Sequence, residues 1–194
     1  MTVVIDYGVG NIRSVLNAFG RLGCELLLSS DRQTILSADH VILPGVGDCA
    51  VSMHNLRESG LAEIVPQIKA PVLGICVGLQ LMCRGSEEGD ARCLGIFPTD
   101  VVKFHPQADL KIPHMGWNSI SNLKSSLFDG VDEGSFVYYV HSYYPQLCDC
   151  AVATSTHGVE FCGALHKDNF YGCQFHPEKS SAVGEKILDN FLKL

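Results

Sequence analysis

Three short runs in this chain are apolar throughout: Val3-Val4-Ile5, Val41-Ile42-Leu43 and Pro71-Val72-Leu73-Gly74-Ile75-Cys76. A strand covered on one face alternates polar with apolar residues; a continuous apolar run fits a strand covered on both faces, the habit of parallel sheets. Turn residues stop the first two runs, Asp6-Tyr7-Gly8 after one and Pro44-Gly45 after the other. Helical spacing fills the gaps. Ile12, Val15, Leu16, Phe19 and Leu22 recur at steps of three and four, with Gly23 at the C-cap position. A second helix is predicted through Met53 and Leu56, and Leu79, Leu81 and Met82 predict a third directly after the Cys76 run. Cys24 to Leu28 reads as a further buried strand. Strands alternating with helices build a parallel sheet with helices on its faces.

Beyond about Asp100 the pattern changes. Val101-Val102, Phe136 to Val140, Cys150 to Ala153 and Phe170 to Phe175 read as strands joined by short turns, as in antiparallel pairing. Residues 180–194 read as a closing helix, with Ser180 or Ser181 as its cap and Val183, Ile187, Phe191 and Leu192 on one face. Residues 104–135 give weak boundaries. The predicted class is α/β, with a mostly parallel central sheet flanked by helices and an antiparallel extension in the second half. No repeat or linker interrupts the 194 residues, so residues 1–194 are predicted to form a single domain.

With 46% hydrophobic and 18% charged residues the chain belongs among globular sequences. Its net charge of −7 and lack of a basic run argue against nucleic acid as a partner, which needs clustered cations. Asp6 cuts short the apolar N-terminus, so no signal peptide is expected, and the Ala70 to Cys83 run contains Gln80 and is too short to span a bilayer. No membrane association and a cytoplasmic, reducing location are expected. There most of the nine cysteines are small core residues. They are odd in number and contain no C-x-x-C pair; Cys148 and Cys150, one residue apart, make a poor metal fork. No metal and no organic cofactor are expected.

Two motifs carry chemistry. In Gly74-Ile75-Cys76-Val77-Gly78-Leu79-Gln80 a buried strand runs into a cysteine bracketed by glycines, and a helix follows at once. That is the layout of a nucleophile elbow, which lifts a reactive atom onto a sharp strand-to-helix turn and offers backbone N–H groups to a developing oxyanion. One cysteine in an apolar strand is more often a core thiol, and the glycines alone bring the odds only to about even. The second motif is Gln174-Phe175-His176-Pro177-Glu178. An imidazole after a strand, with a carboxylate two residues on to fix its tautomer, supplies the base and the orienting acid that a thiol nucleophile needs.

G-I-C-V-G-L-Q together with F-H-P-E resembles the signature of class I glutamine amidotransferases. More narrowly, the chain resembles the glutaminase subunits of imidazole glycerol phosphate synthases. That likeness runs through Asp6-Tyr7-Gly8-Val9-Gly10-Asn11, Pro44-Gly45-Val46-Gly47, Pro113-His114-Met115-Gly116-Trp117-Asn118, Val140-His141-Ser142-Tyr143 and His176-Pro177-Glu178-Lys179-Ser180. The resemblance implies Cys76 as nucleophile, His176 as base and Glu178 as its orienting partner. It implies that Gln80, Glu88, Ser142 and Tyr143 hold the amino and carboxylate ends of glutamine, although on the residues alone Glu88 reads as a solvated acid in the Ser86-Glu87-Glu88-Gly89 turn. It implies an oxyanion hole from Gly45, Val46, Gly47 and Val77, and a partner face carrying Asn11, Trp117, Tyr138 and Lys179. The implied partner is a (β/α)₈-barrel cyclase subunit that receives ammonia in histidine biosynthesis. Asp48-Cys49 and Cys83-Arg84-Gly85 depart from the family's usual residues around the glutamine pocket.

Two other readings stay open on the sequence. One is the amidotransferase subunit of another pathway, such as anthranilate or pyridoxal phosphate synthesis; the other is a scaffold module with an inert triad.

Overall fold

The computed structural model describes residues 1–9, 12–106 and 110–194. The first half runs β1 (Thr2–Ile5), α1 (Ile12–Arg21), β2 (Leu26–Ser29), α2 (Arg32–Leu36), β3 (His40–Leu43), α3 (Cys49–Glu58), β4 (Val72–Ile75) and α4 (Val77–Met82). The second half adds β5 (Gly85–Ser86), β6 (Ala91–Arg92), β7 (Asp100–Lys103), β8 (His114–Ser119), β9 (Phe136–His141), β10 (Tyr143–Pro145), β11 (Ala151–His157), β12 (Val159–Lys167), β13 (Phe170–Cys173) and α5 (Ser181–Phe191).

The central sheet has seven strands in the order β11-β12-β13-β4-β3-β1-β2. From β13 to β2 every pairing is parallel; β12 and β11 extend the sheet antiparallel. The fully apolar runs behave as their composition demands: Val3, Val4, Ile5, Val41, Ile42, Leu43, Val72 and Leu73 are wholly buried. The chain steps from β1 to β2 in one direction and from β3 to β4 in the other. Right-handed crossovers therefore carry α1 and α3 to opposite faces of the sheet. That reversal leaves a crevice beyond the carboxyl ends of the strands, where ligands bind in open α/β sheets. Helix α1 stops in a Schellman arrangement: Gly23 takes φ +75°, its N–H reaches the Gly20 carbonyl and that of Cys24 reaches Phe19. Among the described residues, no helix is long and apolar enough to cross a membrane.

The structure corrects several expectations. The strand predicted over Cys24 to Leu28 is β2, shifted toward Ser29, and it is the sheet edge, with Leu27 and Leu28 exposed. The run Phe170 to Phe175 is β13, antiparallel to β12 but parallel to β4, so it joins the central sheet beside the Cys76 strand. Strands β8, β10 and β12 were not legible. β8 is interrupted by Gly116 and carries His114 and Asn118, and β10 is only three residues long and ends in Pro145; β12 does hold a buried apolar stretch, Phe161 to Leu165, which the linear pattern left unassigned between polar ends. β8 and β9 pair as a separate two-stranded ribbon, and β10, β7, β5 and β6 form a small mixed sheet. Ser180 stands at the N-cap of α5 without capping it; its hydroxyl donates to the His176 carbonyl at 2.6 Å and accepts from the Tyr138 N–H at 2.9 Å.

Candidate active site

Cys76 is the hinge between β4 and α4. Its backbone takes φ 53°, ψ −110°, a conformation that costs a residue with a side chain about 1–3 kcal/mol and persists only where the surroundings impose it. Hydrogen bonds on both sides of the residue impose it. The Cys76 N–H bonds the Cys173 carbonyl at 2.8 Å, continuing the sheet, while the Cys76 carbonyl already accepts from Leu79 and Gln80 as the first turn of the helix. The flanking glycines are explained by space. A Cβ on Gly78 would lie 1.9 Å from the Leu43 carbonyl oxygen, and one on Gly45 would lie 2.4 Å from the Gly78 nitrogen. The end of β3 and the start of α4 thus touch backbone to backbone, setting Gly45-Val46-Gly47 beside the elbow. The Tyr7 hydroxyl donates to the Pro44 carbonyl at 2.6 Å and ties that segment to β1.

His176 leaves β13 on the neighbouring strand. Its Nδ1 donates to Glu178 Oε1 at 2.7 Å, with both side chains 3% exposed, so the Nε2 edge is left for Cys76. Burial by itself would lower the imidazole pKa. The Cys76 sulfur, by charge and hydrogen bond, and the Glu178 carboxylate outweigh it and raise the pKa to about 10. The loop is clamped to the ribbon, since the His176 N–H bonds the Tyr138 carbonyl at 2.8 Å and Ser180 holds the Tyr138 N–H.

Cys76 and His176 open on one cavity of about 510 Å³, shared with Val46, Gly47, Val77, Gln80, Glu88, Ser142, Tyr143 and Lys179. Gly45 lies just behind, against the elbow, and Glu178 behind His176. Glu88 is not the solvated turn acid its sequence neighbours suggest. It is half-buried, accepts from the Cys49 N–H at 2.8 Å, and burial raises its pKa. Gln80 donates to Gln174 Oε1 at 3.0 Å and to the Tyr143 carbonyl at 3.3 Å, while its Oε1 is buried and has no partner among the described residues. Of the four residues assigned to a partner face, Lys179 lines the cavity, and Tyr138 and Trp117 follow it in a row of ring contacts. The Lys179 ammonium lies 6.0 Å from the Tyr138 ring, and Trp117, 51% exposed, meets Tyr138 edge-on at 6.1 Å. Asn11, the fourth, lies outside the described residues, as does Gly10.

The class-I glutamine amidotransferase family model matches residues 3–194. The chain belongs to that family. It is 53% identical over 192 residues to an imidazole glycerol phosphate synthase subunit HisH of Bacteroides fragilis, covering 98% of each chain. It is 44% identical to the HisH of Shewanella sediminis, covering 100% of this chain and 90% of that one. Among solved structures, a glutamine amidotransferase aligns with TM-score 0.75 at 16% identity, covering 98% of this chain and 97% of that one, which speaks to the fold. This amidotransferase chain is thus a member of the HisH group, an enzyme component. Sequence reasoning passed over four residues around its cavity: Gln174, Ser180, His114 and His141. All four stand inside the quoted motifs, but nothing in a linear pattern separates an inward amide or imidazole from a surface one.

Proposed function

We propose that this chain hydrolyses glutamine to glutamate and ammonia through Cys76, His176 and Glu178, and passes the ammonia to a (β/α)₈-barrel cyclase that makes imidazole glycerol phosphate. The observation that carries the proposal is the strained Cys76 elbow facing a buried His176–Glu178 pair across one cavity large enough for an amino acid. Cys76 Sγ attacks the side-chain carboxamide carbon as the thiolate, its proton already held on His176 Nε2, in keeping with the raised imidazole pKa. The tetrahedral oxyanion is met by backbone N–H groups of Val77 and of the Gly45-Val46-Gly47 segment, where each well-aimed donor is worth about 10²–10³ in rate. His176 then protonates the departing nitrogen as ammonia leaves a γ-glutamyl thioester, and finally activates the water that releases glutamate. Glu178 keeps the imidazole in the tautomer both steps need. Glu88, with Gln80, supplies acceptors for the substrate ammonium, and the Ser142–Tyr143 backbone faces its carboxylate. The whole chain, residues 1–194, acts as one amidotransferase domain in the cytoplasm. The cyclase docks on the ribbon face of Trp117, Tyr138 and Lys179, which adjoins the cavity through Lys179.

The test is Cys76→Ala in the chain combined with its cyclase. Glutamine-dependent synthesis is expected to disappear while synthesis from added ammonia continues, because free ammonia bypasses the thiol. Glutamine-dependent turnover in this variant would overturn the assignment.

A further inference from the structure

Several hydrogen bonds outside the Cys76–His176–Glu178 set join into one chain. His114 on β8 and His141 on β9 stand opposite one another in the ribbon, both buried, with His114 Nδ1 2.9 Å from His141 Nε2. His141 Nδ1 lies 2.7 Å from the Tyr143 carbonyl oxygen, and His114 Nε2 lies 3.2 Å from the Asn118 amide nitrogen. A carbonyl only accepts, so His141 Nδ1 carries a proton and, in a neutral ring, its Nε2 accepts. His114 Nδ1 must then donate and its Nε2 accept. The far end requires the same assignment independently. Asn118 Oδ1 accepts the Ser119 N–H at 2.8 Å, which turns the amide nitrogen toward His114 and the Thr156 carbonyl. Two neutral Nδ1–H rings satisfy every donor and acceptor along the chain; one more proton would set N–H against N–H.

The surroundings hold the rings still and favour that state. His114 stacks on Tyr139 at 4.7 Å and on His157 at 4.1 Å, and Phe104 meets His141 edge-on at 5.3 Å. Burial, then the neighbouring His157, lowers the His114 pKa to about 4; burial lowers that of His141 to about 3. Beyond the histidines the chain continues. The Tyr143 carbonyl also accepts from Gln80, Gln80 donates onward to Gln174, and Gln174 Nε2 reaches Cys76 Sγ at 3.7 Å. An unbroken line of polar contacts thus runs from the exposed ribbon to the sulfur.

We propose that His114 and His141 are positioning residues, which hold the Tyr143 carbonyl where it fixes the Gln80–Gln174 pair, and so set how tightly the cavity takes an α-amino acid carboxamide rather than how fast Cys76 reacts with it. The inference rests on reading the cavity as the glutamine site. It assigns the pair no contact with the reacting atoms.

The test uses the full chain and a glutamine analogue with an electrophile at the γ carbon, with the Cys76 adduct followed by mass spectrometry. The half-saturating concentration and the limiting rate constant of labelling are read separately. Removing one neutral hydrogen bond corresponds to about fivefold in affinity. His141→Phe is therefore expected to raise half-saturation by about fivefold or more and to lower the rate constant by at most about threefold. His141→Asn, whose amide nitrogen takes the place of Nδ1, is expected to recover most of the affinity. A wild-type chain that takes no adduct at Cys76 would instead overturn the glutamine-site reading itself. Labelled wild type with unchanged half-saturation in His141→Phe, an effect confined to the rate constant, or no recovery in His141→Asn would overturn the positioning role. Two-bond ¹H–¹⁵N correlation spectra of the unmodified chain at pH 7 need no variant to fold. Both rings are expected neutral and protonated at Nδ1; an Nε2–H tautomer or a charged ring at either position would also overturn the proposal.

Discussion

Replacing Gly78 by Ala tests whether the elbow is built by backbone contact. The new Cβ would lie 1.9 Å from the Leu43 carbonyl oxygen and 2.9 Å from its carbon. Because Cβ contacts closer than about 3 Å do not persist in folded chains, helix α4 must back away from β3 by about 1 Å. Both partners are main chain in the most buried part of the sheet, so no side chain can swing aside. Overpacking of this kind costs about 1–3 kcal/mol, which for a chain this long lowers Tm by several degrees. Catalysis should suffer more. The displacement separates the Val77 N–H and the Cys76 elbow from Gly45-Val46-Gly47, and a misplacement of about 1 Å costs about 10²-fold in rate. Gly20→Ala is the control: Gly20 lies inside α1 with open space where the Cβ would go, so Ala should be neutral or stabilise by up to about 1 kcal/mol. Thermal unfolding and glutamine turnover, measured on both variants, decide the matter. Gly78→Ala with wild-type Tm and turnover would show that β3 and α4 do not touch as described.

Acid should destabilise the fold well before its carboxylates titrate. The folded pKa values of His114 and His141, about 4 and about 3, lie below the ordinary 6.5, so their stabilisation is present above pH 6.5 and is lost as pH falls toward 4. At up to about 1.4 kcal/mol per pH unit for each, and after the small opposing gain from His176 with its raised pKa, the chain should be about 3 kcal/mol less stable at pH 5 than at pH 7. His157, His176, Tyr139 and Tyr143 are the other titratable groups around the pair, and His40, lowered by burial, adds in the same direction. Urea unfolding curves at the two pH values with equal midpoints would refute this. Asp48→Ala removes the α3 cap that accepts the Val51 N–H at 2.9 Å; it should cost about 1 kcal/mol in thermal unfolding and leave turnover within about twofold. Changing Cys148 and Cys150 together to Ser should leave glutamine turnover within about threefold, with or without added zinc, and a chelator-sensitive loss would expose a missed metal role.

Much of the architecture was legible without coordinates because parallel strands buried on both faces can tolerate only apolar residues. Val3–Ile5, Val41–Leu43 and Val72–Ile75 advertise themselves, as do α1, ended by Gly23, and the cysteine bracketed by glycines. The Cys76, His176 and Glu178 positions could be proposed for the same reason, since a nucleophile, a base and an orienting acid must be particular residue types. Pairing partners were beyond local pattern. Phe170–Cys173 looks like any apolar strand, and only the closure of the sheet puts it parallel to β4, bringing His176 to Cys76 across 100 residues of chain. Glu88 reads as a solvated acid until the Cys49 N–H and the cavity wall surround it. His114 and His141 are 27 residues apart and polar, so neither periodicity nor composition could mark them as a buried neutral pair. Their tautomers, and the line they complete to Gln174 and Cys76, are set by which donors and acceptors the folded ribbon brings into hydrogen-bonding range.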